Sequence, residues 1–157
     1  MLSQFDRLSQ LVDGRYATDD ELRIISDYAN SFQLRLETYL KLQASEVEIV
    51  QQVQARLRAI DPALFQNGHQ DVTSKWRRDT IRALRYSATA MLINDPETLK
   101  ERFLLWFQTI MRAFGTQRTC DVTYKIMQDV VKQHLTSTQA NLFCPFLELN
   151  RQLLGEG

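Results

Sequence analysis

Three prolines and five glycines punctuate 157 residues, and nearly all of them fall where a three-and-four-residue hydrophobic rhythm breaks. Long Val/Ile/Thr runs of the strand type are absent. That combination predicts an all-α chain with short connections, because Pro and Gly punctuate helices while uninterrupted 3.6-residue periodicity extends them. The expected segments begin with an amphipathic helix over residues 2–12 (Leu2, Phe5, Leu8, Leu11), stopped by Gly14. Thr18-Asp19-Asp20-Glu21 forms a capping box for a second helix, with a break expected near Asn30-Ser31. The pattern resumes to about Leu42, and Ser45 with Glu48 predicts a further helix start running to Ile60. Asp61-Pro62 is a cap-and-proline restart, and Phe65-Gln66-Asn67-Gly68 a turn.

The stretch from Trp76 to Pro96 is the longest coherent element, a central helix stopped by Asn94-Asp95-Pro96. Asp71, Thr73 or Ser74 is expected to cap its start. Ile81, Leu84, Ala88, Met91 and Leu92 make one apolar face; Lys75, Arg78, Arg82 and Arg85 recur beside it, with Asp79 expected to pair with Arg82. Asp95-Pro96-Glu97 starts the next helix, whose bulky face (Leu99, Phe103, Trp106, Phe107, Phe114) is expected in the core and is closed by Gly115. A helix over about Asp121–His134 follows. The last one carries Phe146, Leu149 and Leu153, with Pro145 in its first turn. Seven or eight helices of unequal length suit a globin-like packing better than four equal rods.

Chemistry is harder to find. Lys plus Arg and Asp plus Glu balance at 19 each, so no global field draws the chain to nucleic acid or anionic lipid. No segment approaches a membrane span, and the N-terminus lacks a signal-peptide pattern; a cytoplasmic protein without membrane insertion is expected. The two histidines, His69 and His134, and the two cysteines, Cys120 and Cys144, show no metal-ligand spacing. Cys120 stands at an expected helix start, a place that can lower a thiol pKa, but reads as structural or incidental; Cys144, among Leu142, Phe143 and Phe146, reads as packing. No phosphate loop and no nucleophile elbow occur, so no catalytic residues are assigned. Arginines in the central row, rather than lysines, favour bidentate contacts to carboxylates of a ligand or another subunit.

The run Trp76, Arg77, Arg78-Asp79, Leu84-Arg85-Tyr86, Ala90-Met91-Leu92, Asn94-Asp95-Pro96 resembles the phycobiliprotein family, the bilin-carrying light-harvesting subunits of cyanobacteria and red algae, and most closely its allophycocyanin-like members. The similarity continues through Leu99, Glu101-Arg102 and Phe114-Gly115, and upstream through Val12, Gly14, Tyr16 and Leu34-Arg35. It implies one domain over 1–157, with an N-terminal helical pair at 2–30 packing on a partner subunit and a globin-like body at 31–157. Leu11, Asp13, Tyr16 and Arg85 are the implied interface residues. Arg78 and Asp79 fall on the residues that grip the propionate and the pyrrole nitrogens of the bilin. Trp76 stands where that family carries its attachment cysteine, so the usual thioether is lost.

The expectation is therefore a non-enzymatic subunit without covalent bilin, acting in assembly, attachment or regulation of the phycobilisome antenna. It would form a homo- or hetero-oligomer with phycobiliprotein-like subunits, with a phycobilisome linker as a further candidate partner, at the cytoplasmic face of the thylakoid. One alternative is a light-harvesting or photosensory subunit that binds a phycocyanobilin-type bilin non-covalently, with Trp76 stacked on it and Arg78 and Asp79 holding it. The other is a sensor or adaptor of this fold outside the antenna.

Overall fold

In the computed structural model, which describes residues 1–155, helix forms wherever the sequence allows it to continue. Helix α1 (Leu2–Leu11) leads through a turn with Gly14 at φ +70° into α2 (Asp19–Ile60). Thr18 Oγ1 accepts the Glu21 backbone N–H while the Glu21 carboxylate accepts that of Thr18, so the predicted capping box is formed.

From there α2 runs 42 residues without a stop. The expected break at Asn30-Ser31 and the restart at Ser45 do not occur. No Gly or Pro lies between Asp19 and Ile60, and the residues that looked like caps serve other contacts. Ser31 Oγ donates to the Tyr28 carbonyl and accepts from Arg35 Nε at 2.8 Å, and Ser45 is buried in the interface of the helix. A Ser-x-x-Glu pattern caps a helix only where the backbone has already left it.

Asp61 caps a 3-10 turn (Pro62–Phe65) by accepting the Ala63 N–H at 3.0 Å. The expected turn is a minimal antiparallel hairpin, β1 (Gln66–Asn67) and β2 (Gln70–Asp71), with Gly68 at φ +61°. Helix α3 (Thr73–Leu92) follows; its N-cap is Val72, without a side-chain cap bond, rather than Asp71, Thr73 or Ser74, and Asp71 Oδ1 accepts the Thr73 N–H at 2.7 Å from just outside the helix. Its buried face is Trp76, Thr80, Leu84, Ser87, Ala88 and Met91; Ile81 and Leu92 are only partly buried. The turn after α3 places Asn94 at φ +49°, which Asn tolerates better than most residues.

Asp95 then opens α4 (Pro96–Leu99), which passes through a five-residue π turn (Lys100–Leu104) into α5 (Leu105–Ala113). The wider π turn makes room for the stack of Tyr86, Phe103 and Phe107, with ring centroids 4.5 and 4.9 Å apart. Phe103 and Phe107 are core, as expected. Trp106 and Phe114 are not, at 52% and 50% exposed. Helix α6 (Gln117–His134) starts four residues before the expected point. Helix α7 (Ser137–Gly155) starts with a reciprocal Thr136–Gln139 cap and carries Pro145 in its interior rather than its first turn. Proline removes the donor that would meet the Asn141 carbonyl; burial of Phe143, Phe146 and Leu147 on either side keeps the helix together.

Helices α6 and α7 pack on each other, α2 packs on α3 and α6, and α7 lies across α3 and α5. The core between them is filled by Ile49, Val53 and Leu57 of α2, Leu84 and Met91 of α3, Met127 and Val130 of α6, and Phe143 and Leu147 of α7. Early α2 satisfies the C-terminal carbonyls of α3: Arg35 Nη1 donates to Met91 O at 2.7 Å and Tyr28 Oη to Leu92 O at 3.1 Å. Arg35 is buried, so its loss would strand a buried acceptor. Arg35→Met should lower stability by about 2 kcal/mol, read as a shifted urea midpoint at unchanged slope.

Candidate functional site

The first two turns of α3, the hairpin, α5 and the start of α6 enclose a cleft of about 260 Å³. Trp76, Asp79 and Thr80 line it from α3, Phe107 and Met111 from α5, and Cys120, Thr123 and Tyr124 from α6. Helical spacing explains the α3 contribution: residues 76, 79 and 80 lie on one face.

Trp76 is a wall of this cleft and is only 8% exposed. Its indole N–H donates to Thr123 Oγ1 at 3.0 Å, and its ring meets Phe65 edge-on at 5.2 Å. Both the apolar body and the polar tip of the side chain are therefore satisfied within the protein. Asp79 presents a carboxylate to the cleft, with Arg78 Nε 3.6 Å from Oδ1, beyond hydrogen-bonding distance. The expected Asp79–Arg82 pair is not made. Arg82 instead lies 5.9 Å from the Tyr86 ring centroid and 5.5 Å from that of Trp106.

Arg78 is 75% exposed and lines a separate trough on the outer side of α3. At about 100° per residue, Lys75, Trp76, Asp79 and Thr80 span the arc of α3 that faces the cleft, and Arg78 falls outside that arc, on the side of the trough. The cleft thus joins Trp76 and Asp79 and excludes Arg78.

Cys120 lies on the cleft wall but is buried one turn inside α6, not at its start. Burial, with Asp79 adding to it, pushes its thiol up to about 12, which agrees with a structural cysteine rather than with the lowered value a helix start can give. The thiol stays protonated at neutral pH. Tyr124 is raised in the same way, by burial first and then by Cys120 and Asp79. Cys144, half-buried against the core, is also raised, mainly by burial.

The four residues expected at an interface fall in two places. Leu11, Asp13 and Tyr16 are exposed around the α1–α2 connection, Tyr16 almost fully. Other exposed apolar side chains of α1 and early α2 are Leu2, Phe5, Leu22, Ile24 and Phe32. Arg85 sits apart on α3, in a bidentate pair with Glu46 of α2 (2.7 and 2.7 Å).

Asp95, legible as a turn residue and helix start, also joins two elements distant in sequence. Its carboxylate accepts the Thr98 N–H (3.1 Å), the Ser3 N–H (2.8 Å) and the Ser3 hydroxyl (2.8 Å), tying α1 to the start of α4. The Asp-Pro-x-Thr cap was visible in the sequence; the contact with Ser3, 92 residues away, carried no sequence signal.

His69 is exposed in the hairpin turn, and His134 Nε2 lies 3.3 Å from Gln52 Oε1. Among the described residues no three His, Cys, Asp or Glu side chains converge as a metal site, and no helix is long and apolar enough to cross a membrane. No curated protein matches the chain. A family model described as "Phycobilisome protein" matches residues 11–154.

Proposed function

The chain belongs to the phycobilisome protein family, and from that premise we propose that it is an allophycocyanin-like subunit that carries no covalent bilin and serves assembly, attachment or regulation of the antenna. Family membership makes it a non-enzymatic, phycobiliprotein-like subunit. The finer reading is supported by one observation above all: the buried, hydrogen-bonded indole of Trp76, at the position that resembles the family's attachment cysteine. A tryptophan forms no thioether. The nearest thiol, Cys120, is held protonated and is therefore a poor nucleophile.

A bilin held by affinity alone is the second reading, and Asp79 favours it. A carboxylate with no hydrogen-bond partner among the described residues, placed at the cleft, suits the paired N–H groups of a tetrapyrrole. Two features oppose it. At about 260 Å³ the cleft lies below the usual range of sites for drug-sized ligands. Arg78, the intended partner of a propionate, faces the outer trough.

Members of the family typically oligomerise. The exposed apolar side chains of α1 and early α2 support the proposal that residues 2–30 pack on a phycobiliprotein-like partner subunit through Leu11, Asp13 and Tyr16, with 31–157 as the body. Arg85 joins that proposal as the α3 contact, one in which Glu46 would have to share or release the guanidinium. A linker partner and a place at the cytoplasmic face of the thylakoid follow from the same role.

The test is purification of the chain from cells that make bilin. The expected preparation is colourless, with no visible absorption band. Colour that survives native purification and is lost on denaturing separation would replace this reading with the non-covalent one.

A further inference from the structure

Those readings use Arg78 and Arg85 singly and leave the arginine row as a whole without a role. The row lines the outer trough, about 780 Å³, between α3 and the C-terminal half of α2. Five guanidiniums, those of Arg58, Arg77, Arg78, Arg82 and Arg85, meet there, and no acidic residue lines it. In a chain whose charges sum to zero, that is a strong local concentration of one sign.

Two of the five lie within 4 Å of a carboxylate, Arg85 at Glu46 and Arg78 at Asp79, and Asp71 acts on Arg58 from farther off. The other three are held by neutral partners. Arg77 donates to Gln54 Oε1 at 2.7 and 3.2 Å. Arg58 donates to Thr73 Oγ1 at 3.2 Å and lies 5.4 Å from the Phe65 ring centroid. Arg82 rests on Tyr86 and Trp106. Such contacts fix a side chain without cancelling its charge. Less rotamer freedom is then lost when an anion arrives.

Shape selects the class of anion. Arg78, Arg82 and Arg85 follow one another a turn apart, spanning about 10 Å of α3 at 1.5 Å per residue. Arg77 and Arg58 stand toward the α2 wall, and half-buried Ile81 also lines the trough. A small anion engages two or three guanidiniums and leaves the rest idle. Single-stranded nucleic acid binds best where aromatic faces are free to stack bases, and here Arg82 already lies against the Tyr86 and Trp106 rings.

We infer that the trough docks an acidic helical segment of a partner protein, with carboxylates at successive turns toward the arginines and an apolar side chain toward Ile81. A helix repeats its side chains at the same spacing as the arginine row, so several charge-assisted pairs form in one register. This inference does not rest on the pigment-free reading and holds whether or not the cleft takes a bilin.

The experiment is a fluorescence-anisotropy titration of the full chain against a labelled helical peptide of about 18 residues, long enough to hold helix, with Glu at i, i+4 and one Leu per turn. The comparators are a scrambled peptide of the same composition and a short oligouridylate. The patterned peptide should bind most tightly, and more weakly as salt rises. Arg77→Glu with Arg82→Glu should lower its affinity by about tenfold or more. These residues are exposed, and a helical circular-dichroism spectrum confirms that the variant is folded. The neutral pair Arg77→Gln with Arg82→Gln should give a smaller loss in the same direction. No binding at low salt, undiminished binding to the folded Glu variant, or equal affinity for the scrambled peptide or the oligouridylate would each overturn the inference.

Discussion

Replacing Trp76 with alanine is expected to cost about 3–5 kcal/mol, the range for removing a large aromatic side chain from a core whose walls relax only partly. The side chain is nearly enclosed, packs against Phe65 and holds Thr123 through its indole N–H. Trp76→Phe keeps most of the ring packing and leaves Thr123 without its donor, so a loss of about 1 kcal/mol is expected. Chemical denaturation of the three proteins measures both. An unchanged midpoint for Trp76→Ala would mean that the indole is not a packing element, and the case against a pigment in the cleft would lose its main support.

Asp95→Ala is the second large effect, expected at about 3–4 kcal/mol because three donors lose one buried charged acceptor. It should also free α1, since Ser3 is held through this carboxylate and Met1 is buried beside the same turn. Burial alone would raise the Asp95 pKa; the Ser3 and Thr98 hydrogen bonds outweigh it and hold the carboxyl well below the usual carboxylate range. The sign of the pH effect follows. A carboxyl depressed in the folded state contributes its stability above its unfolded pKa, about 3.9, and loses it as pH falls toward the folded value. The wild type should therefore lose stability on acidification below about pH 4, and Asp95→Asn should flatten that limb. An acid limb of equal steepness in Asp95→Asn would assign the effect to other carboxylates.

Much of the fold could be read from residues that act locally. The Thr18–Glu21 box, the Asp61-Pro62 restart, the Asn94-Asp95-Pro96 turn and Gly115 at φ +64° all lie where the sequence placed them. The misreadings arose where tertiary packing overrode a local signal. Ser45-x-x-Glu48 has the form of a cap, but buried Leu42, Ile49 and Val53 keep the backbone helical through it. Pro145 looked like a helix start because its missing N–H costs least there, whereas burial on both sides carries α7 across it. Trp106 and Phe114 belong to an apolar stripe wider than the face that α5 buries, and periodicity alone does not mark its edge.

The candidate site divides in the same way. Resemblance singled out Trp76, Arg78 and Asp79, and the cleft brings together the first and third. The separation of Arg78 is a consequence of helix geometry, which a motif written in one line conceals. The enclosing residues, Phe65, Thr123 and Tyr124, come from the 3-10 turn and from α6, and nothing in their local sequence marks them as neighbours of Trp76.

The most direct test of the account is the intact mass of the chain purified from bilin-producing cells and measured under denaturing conditions. The account predicts the mass of the polypeptide alone, 18.4 kDa. A mass larger by one bilin, with colour that persists through denaturation, would show a covalent pigment at another residue and contradict it.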